Sequence, residues 1–194
     1  MVLGRIYKCG MGIETYTALD STVMAIHQWR FLLIEHFGYN TSKHEAFCRV
    51  LGLDGFDTWT PDQWLTVLYS TIARFTGNLV PAMIADPHLT SFEAHTLVVS
   101  GHALEPLIEE ILLHNLPGRC FMISDTGLLC LGAGPADGGD LICVLLGCST
   151  PLILRECKGY YTYIGDAFVD GYMYGKAIDE LNDGARELQT FELR

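Results

Sequence analysis

GDLICVLLGCSTPLILRECKGYYTYIGDAFVDGYMYGK, residues 139–176, decides the fold class of this 194-residue chain. Its apolar runs are separated by turn residues every ~8–12 positions, a spacing typical of a meander of short strands. Leu141–Leu146 is apolar at consecutive positions, which indicates a strand buried on both sides or curled into a small barrel. Pro151 is expected to start the next strand, Leu152–Glu156, because the first residue of a strand need not donate to the ladder.

The rest of this stretch predicts a returning strand. Lys158–Gly159 is expected to turn the chain, because glycine adopts the positive φ angles that tight turns require. The predicted elements after this turn are Tyr160–Ile164, Ala167–Val169 beyond a bend at Gly165, and one more edge strand at Phe191–Arg194.

A hairpin is predicted immediately before this stretch. Cys120–Ile123 and Leu128–Leu131 are apolar runs of strand length, and they flank the turn segment Ser124–Gly127. Gly127 can take positive φ there. We expect the two runs to pair.

Further towards the N-terminus the apolar period becomes helical. A helix is predicted from Asp20 to Phe37, with Asp20 or Ser21 as its N-cap and Gly38 as its C-terminal stop. A second helix is predicted from Ser42 to about Leu51, because Ser42 and Glu45 form an S-x-x-E capping box. Three further helices are predicted at Thr60–Phe75, near Thr90–Val98, and at Glu105–His114.

The predicted fold class is therefore α+β. A helical region, residues 1–116, is expected to pack on a β-rich module, residues 117–194, with one shared core. The module is expected to be an antiparallel sheet or partly closed barrel of about five or six strands.

Composition excludes several classes of partner. Hydrophobic residues make up 49% of the chain and charged residues 18%, which is typical of a well-buried globular protein. The net charge of −11 argues against nucleic acid and against anionic membranes. No apolar run reaches the ~18 residues of a membrane span. The N-terminus lacks the layout of a secretory signal, so a cytoplasmic location is expected.

Cysteine and histidine spacing does not indicate a metal site. The seven cysteines form no C-x-x-C pair, and the seven histidines show no repeated i, i+4 pairing. We expect the thiols to be reduced core residues. The cysteines are Cys9, Cys48, Cys120, Cys130, Cys143, Cys148 and Cys157.

Asp125-Thr126-Gly127 is the strongest apparent catalytic motif. Aspartic proteases present a carboxylate on such a turn after an apolar strand, but they need two carboxylates that share a proton. The chain has one copy, and Leu128 stands where that group has a small residue. A hairpin turn is the favoured interpretation. A small hydrolase using Asp125 or a Cys/His pair stays the alternative.

The glycines after the hairpin do not predict a cofactor. Gly132-Ala133-Gly134-Pro135 and Gly138–Gly139 precede an apolar strand, whereas a phosphate-binding loop must open a helix. We expect these glycines to form tight corners, and no cofactor is predicted.

Among the charged residues of the apolar strand region, Arg155, Asp166 and Asp170 stand out. A charge in such surroundings is costly unless it is paired. We expect Arg155 to bridge to Asp166 or Asp170 across neighbouring strands as a structural ion pair, and a ligand-binding role for these residues is the weaker alternative.

The last third of the chain resembles the C-terminal region of the fungal heterokaryon incompatibility (HET) family. That pattern is a strand, a T-x-x-G turn, a strand, G-x-G-P, then G-D before an apolar run, and later L-R and Y-x-(apolar)-G-(acidic). The matching residues are Thr126, displaced within a shorter turn, and Gly132, Gly134, Pro135, Gly139, Asp140, Gly147, Pro151, Leu154, Arg155, Tyr163, Gly165, Asp166, Gly171, Met173 and Gly175. The front of the chain, from KCGMGIETYTAL to EAFCRVL, is similar to the family's intervening helical segment.

The resemblance implies a function in fungal self/non-self recognition and cell-death signalling. The motifs of the family's N-terminal HET domain do not occur in this sequence. The expected function is therefore a non-catalytic interaction or regulatory module with a protein partner, in a fragment or truncated paralogue of a HET-type protein. A gene product without a separate role is a third possibility, which the DNA upstream of Met1 would test.

Overall fold

A computed structural model describes residues 1–14, 19–54 and 111–194. The predicted helices at Thr60–Phe75 and Thr90–Val98, and most of the one at Glu105–His114, lie outside these residues. In the described part, six antiparallel strands form a closed barrel. Its strands are β1 (Val2–Cys9), β2 (Arg119–Ser124), β3 (Leu129–Ala133), β4 (Leu141–Cys143), β5 (Leu152–Cys157) and β6 (Tyr160–Val169), and its helices are α1 (Leu19–Phe37), α2 (Thr41–Gly52) and α3 (Lys176–Asn182).

The order of strands around the barrel is β1-β2-β3-β6-β5-β4. The predicted β2–β3 hairpin is confirmed, with Gly127 at φ +77° in its turn. The predicted β5–β6 hairpin is also confirmed, with Gly159 at φ +84°. The α+β class with a C-terminal antiparallel barrel is therefore confirmed, and the barrel is fully closed.

The strand that closes the barrel is β1, which the sequence pattern did not predict. It pairs with β2 through Ile6, Lys8 and Cys9, and with β4 through Val2, Gly4 and Arg5. These residues belong to the segment that was expected to be helical. Closure removes the two open edges that five strands would leave exposed.

Three strand predictions need correction. β4 ends at Cys143 rather than Leu146, because its partner β1 begins only at Val2. Beyond Cys143, the Val144 amide donates to the Met1 carbonyl. β6 is one continuous strand, and the bend predicted at Gly165 is a bulge at the neighbouring Ile164. The predicted edge strand near the C-terminus is a single parallel bridge between Tyr161 and Leu193.

The first two helices match their predicted positions, and Gly38 ends the first helix as predicted, but the predicted N-caps are wrong. α1 begins at Leu19, so Asp20 and Ser21 lie inside its first turn, and it ends before Gly38 at φ +65°. The N-cap of α2 is Asn40, whose side chain accepts from the Lys43 amide at 3.1 Å. The predicted Ser42–Glu45 capping box is therefore wrong. A short π-helical turn, Ile111–Asn115, closes the helical half.

Side chains from alternate strand positions form three apolar clusters. Inside the barrel, aliphatic residues such as Ile153 lie beside sulphur-containing residues such as Cys120 and Met122. The outward face of β2, β3 and β6 packs against α1 and α2; this helix-covered face comprises Phe121, Ile123, Leu129, Leu131 and Phe168, with Trp29 and Phe47 from the helices. The outward face of β4 and β5 is Leu141, Cys143 and Leu154, which Val2, Tyr161 and Phe191 cover; we name it the C-terminal face.

Candidate functional site

Arg155 forms an ion pair, but its partner is neither of the predicted aspartates. Its Nε and Nη2 atoms donate to the two carboxylate oxygens of Asp140, each at 2.8 Å. The Asp140 side chain is only 4% exposed, whereas that of Arg155 is 40% exposed. This bidentate geometry is the strong form of an arginine–carboxylate contact, and it raises the pKa of the Arg155 guanidinium.

The Arg155–Asp140 pair also fastens the loop between β3 and β4. Arg155 Nη2 donates to the Pro135 carbonyl at 2.9 Å, and the Asp137 amide donates to Asp140 at 2.9 Å. The buried carboxylate is thus satisfied from two directions. We conclude that this cluster joins β5 to the start of β4 and fixes the loop between β3 and β4.

Asp166 and Asp170 pair with arginines from other elements. Arg119 donates to Asp166 at 3.1 and 3.2 Å. Arg49 of α2 donates to both oxygens of Asp170 at 2.7 and 3.1 Å, and this contact raises the pKa of Arg49. The prediction that Arg155 bridges to one of these aspartates is wrong.

Strand register explains why the predicted pairing fails. Arg155 lies opposite Thr162, whereas Asp166 lies opposite Leu152. Three residues of strand separate Leu152 from Arg155, which is about 10 Å. The true partner Asp140 was visible in the sequence as the acidic residue before the apolar run of β4, but nothing local to it indicates which arginine it meets.

The Asp125-Thr126-Gly127 turn is bound to β1 by hydrogen bonds. The Arg5 amide donates to the Asp125 carboxylate at 2.8 Å, and the Asp125 amide donates to the Arg5 carbonyl at 2.8 Å. Gly4 permits this close approach, because a Cβ there would lie 2.8 Å from Thr126 Oγ1 and 2.9 Å from the Asp125 carboxylate. The exposed carboxylate therefore extends the pairing of β1 with β2.

Side chains on both sides of the same turn hold its shape. Ser124 Oγ accepts from the Leu128 amide at 2.9 Å and lies 2.8 Å from Thr126 Oγ1. Lys43 of α2 donates to the Gly127 carbonyl at 2.7 Å. The turn is thus tied to β1 and to α2, and its polar groups take part in structural hydrogen bonds.

Most of the cysteines lie in the core, as predicted. Cys48, Cys120, Cys130 and Cys143 are buried, Cys9 and Cys157 are partly exposed, and Cys148 is exposed. Burial raises the pKa of the Cys130 thiol and raises that of Cys143 to about 11. These shifts favour the unreactive protonated form.

Two of the described histidines, His36 and His44, take part in ring packing or backbone contacts. His36 lies edge-on to Phe37, with ring centroids 4.4 Å apart, and His44 Nδ1 lies 3.0 Å from the Asn40 carbonyl. Within residues 1–14, 19–54 and 111–194, no group of three or more His, Cys, Asp or Glu side chains is arranged to hold a metal ion. None of the helices in that part of the chain is both long and apolar enough to cross a membrane.

Comparison with known proteins places the barrel in a family. Residues 91–187, half of the chain, match the model of the Het-6 β-barrel domain, a domain related to fungal heterokaryon incompatibility. Five of the six strands, β2 to β6, lie inside the matched range, and β1 lies outside it. Neither the comparison with curated proteins nor that with solved structures gives a significant match. The chain belongs to the Het-6 β-barrel domain family.

Proposed function

We propose that this chain is a non-catalytic interaction or regulatory module in fungal heterokaryon incompatibility, acting in self/non-self recognition that leads to cell death. The observation that carries the proposal is the structural role of Asp125, the carboxylate of the strongest apparent catalytic motif. One of its oxygens accepts from the Arg5 amide, so the residue joins two barrel strands. The proposal places the chain in the cytoplasm, the compartment that fused hyphae share.

The other charged residues of the barrel support the same proposal. Arg155, Arg119 and Arg49 each pair with an aspartate on another element or loop. A general acid or nucleophile needs a free oxygen and a partner group directed at a substrate. Carboxylates that each accept from an arginine suit a rigid scaffold better than a reactive centre.

A protein is the kind of partner that the proposal implies. The net charge of −11 disfavours a phosphate backbone or an anionic membrane as the ligand. Rigid β-barrels present loops and strand edges at fixed positions, which suits recognition of another folded chain.

Complementation in the source fungus tests this function. The gene is deleted, and the deletion strain is paired with an incompatible strain and scored for death of the fused cells. Wild type and Asp125→Asn should both restore the response of the undeleted strain, because asparagine keeps the oxygen that accepts from Arg5 and loses only the charge. Gly4→Val should fail, because its side chain would displace the turn from β1. No effect of the deletion would refute the recognition role, and restoration by Gly4→Val would refute the structural role that we assign to the contact between the turn and β1.

Enzyme assays distinguish the proposal from the hydrolase alternative. The purified chain and Asp125→Asn are incubated with peptide and ester substrates and compared at equal folded concentration, verified by circular dichroism. We expect no turnover above the uncatalysed rate for either protein. Turnover by the wild type that Asp125→Asn abolishes would replace the proposal with the hydrolase interpretation.

A further inference from the structure

We propose that Cys9 and Cys120 form an oxidative modification site: a peroxide oxidises Cys9, and Cys120 then closes a disulfide that joins β1 to β2. Their Sγ atoms lie 3.1 Å apart. A disulfide bond is about 2.05 Å long, so the two sulphurs need to approach by only about 1 Å.

The register of the barrel sets this distance. Cys9 lies opposite Met122 on the neighbouring strand, and Cys120 is two residues from Met122, on the same side of the sheet. The two cysteines are therefore diagonal neighbours, a relation that allows side-chain contact between antiparallel strands. Cys9 is the last residue of β1, and the following Gly10 amide donates to the Phe121 carbonyl at 2.8 Å, so the backbone holds Cys9 beside β2.

The two thiols differ in exposure and acidity. Cys9 is partly exposed, and Cys120 is completely buried. A hydrogen bond from the Cys120 thiol lowers the pKa of Cys9, although burial and the nearby Asp137 and Asp140 carboxylates partly oppose this effect. The same contact and burial raise the pKa of Cys120. The accessible thiol is thus the more acidic of the two, which makes it the first to react with an oxidant.

The chemistry balances with a peroxide as oxidant. The Cys9 thiolate attacks one oxygen of hydrogen peroxide, the O–O bond breaks, and Cys9 becomes a sulfenic acid while hydroxide leaves and is protonated to water. Cys120 then attacks the Cys9 sulphur, so that the S–S bond forms and the S–O bond breaks. The Cys120 proton leaves with the hydroxyl group as a second water. Two thiols lose two electrons in total, and one peroxide gains them.

The disulfide would fix the strand that closes the barrel. Cys9 and Cys120 lie 111 positions apart in the sequence, and β1 and β2 come from distant parts of the chain. Cross-links that span long loops restrict the unfolded chain strongly, so the oxidised protein should be the more stable form. The inference concerns control of the fold, and it is independent of the proposed partner.

Peptide mapping of the full chain tests the site. The reduced protein is treated with one equivalent of hydrogen peroxide, remaining thiols are blocked with N-ethylmaleimide, and the protein is digested with trypsin and chymotrypsin. Cleavage after Arg119 and Phe121 separates Cys120 from Cys130. We expect a Cys9–Cys120 cross-linked peptide two hydrogens lighter than its parts, formed about tenfold faster than Cys143 is lost. The oxidised protein should melt about 5–10 °C higher, and dithiothreitol should abolish the shift.

Single variants test the two roles. Cys120→Ala should accumulate the Cys9 sulfenic acid, which dimedone traps, and Cys9→Ala should leave Cys120 reduced. Cys143→Ala is the matched control and should form the cross-link at the wild-type rate. Circular dichroism verifies that each variant folds, and Cys120→Ser replaces Cys120→Ala if that variant does not fold. Absence of the cross-link from oxidised wild type, or oxidation of Cys120 at the wild-type rate in Cys9→Ala, would overturn the proposal.

Discussion

The two outward faces of the barrel are stabilised in different ways. The helix-covered face buries aromatic rings against one another. The rings of Phe47 and Phe121 meet edge to face with their centroids 5.2 Å apart, and Trp29 is completely buried. The C-terminal face has a smaller apolar cluster, and beside it the contacts are ionic: Arg155 with Asp140, and Arg186 with Glu180. Apolar packing thus joins the helices to the barrel alongside the Arg49–Asp170 pair, whereas charged hydrogen bonds hold the C-terminal segment and the corners.

This contrast predicts the largest effect for Trp29→Ala. The indole packs against Gly10 and Phe121 and donates to the Met11 carbonyl at 2.8 Å, so its loss leaves a cavity and an unpaired carbonyl. We expect the free energy of unfolding to fall by about 3–5 kcal/mol in denaturant titrations. Phe31→Ala on the same helix is the control, since that ring is 72% exposed, and it should change the value by less than about 0.5 kcal/mol. Equal effects of both variants would show that the helix-covered face is not the main apolar contact.

Arg155→Met tests the C-terminal side and should have an intermediate effect. Among the described residues, it leaves the buried Asp140 carboxylate with only the Asp137 amide as a partner, which should cost about 2 kcal/mol. Arg194→Met removes an ion pair with Glu192 in which both side chains are exposed, and it should change the free energy of unfolding by less than about 0.5 kcal/mol. An unchanged denaturant midpoint for Arg155→Met would remove the structural role that we assign to the pair.

The smallest effect is expected for Glu180→Gln, and it should depend on pH. Arg186 donates to Glu180 and also to the Val2 carbonyl at 2.7 Å, so this carboxylate helps to hold the C-terminal segment on β1. The hydrogen bond from Arg186 lowers the pKa of Glu180 below its ordinary value of 4.5. A lowered carboxylate pKa stabilises the fold above the unfolded pKa, and this stability is lost as pH falls through the folded pKa.

Melting temperatures of wild type and Glu180→Gln should therefore differ at pH 7, by the equivalent of about 1 kcal/mol, and the difference should shrink towards pH 3 as the pH falls through the lowered pKa of Glu180. Glu187→Gln on the exposed C-terminal segment is the matched control and should follow the wild type at both pH values. A difference in melting temperature that stays constant between pH 7 and pH 3 would contradict the ionic role of Glu180.

Local pairings were predictable from the sequence because their signals are local. The β2–β3 and β5–β6 hairpins each have two apolar runs around a short turn with glycine, and both formed as expected. β1 was missed because VLGRIYKC contains glycine and two basic residues, and its partners are more than 100 positions away. The available signal was a short run with the β-favouring residues Val2, Ile6 and Tyr7.

The candidate site was only partly predictable for the same reason. Arg155, Asp166 and Asp170 stood out as charges in an apolar region, and all three are in ion pairs. Their partners Asp140, Arg119 and Arg49 come from other elements, so only the three-dimensional register identifies them. The role of Asp125 depended on β1, and it could not be recognised before that strand was placed.

Hydrogen exchange of the full chain, followed by mass spectrometry, tests most directly the claim that the N-terminal strand completes the barrel. Peptides covering Val2–Cys9 should be protected to within about tenfold of peptides covering Arg119–Ser124, because both strands belong to one cooperative unit. Exchange of the Val2–Cys9 amides within seconds, while Arg119–Ser124 stays protected for hours, would show that the barrel stands without β1 and would contradict the account.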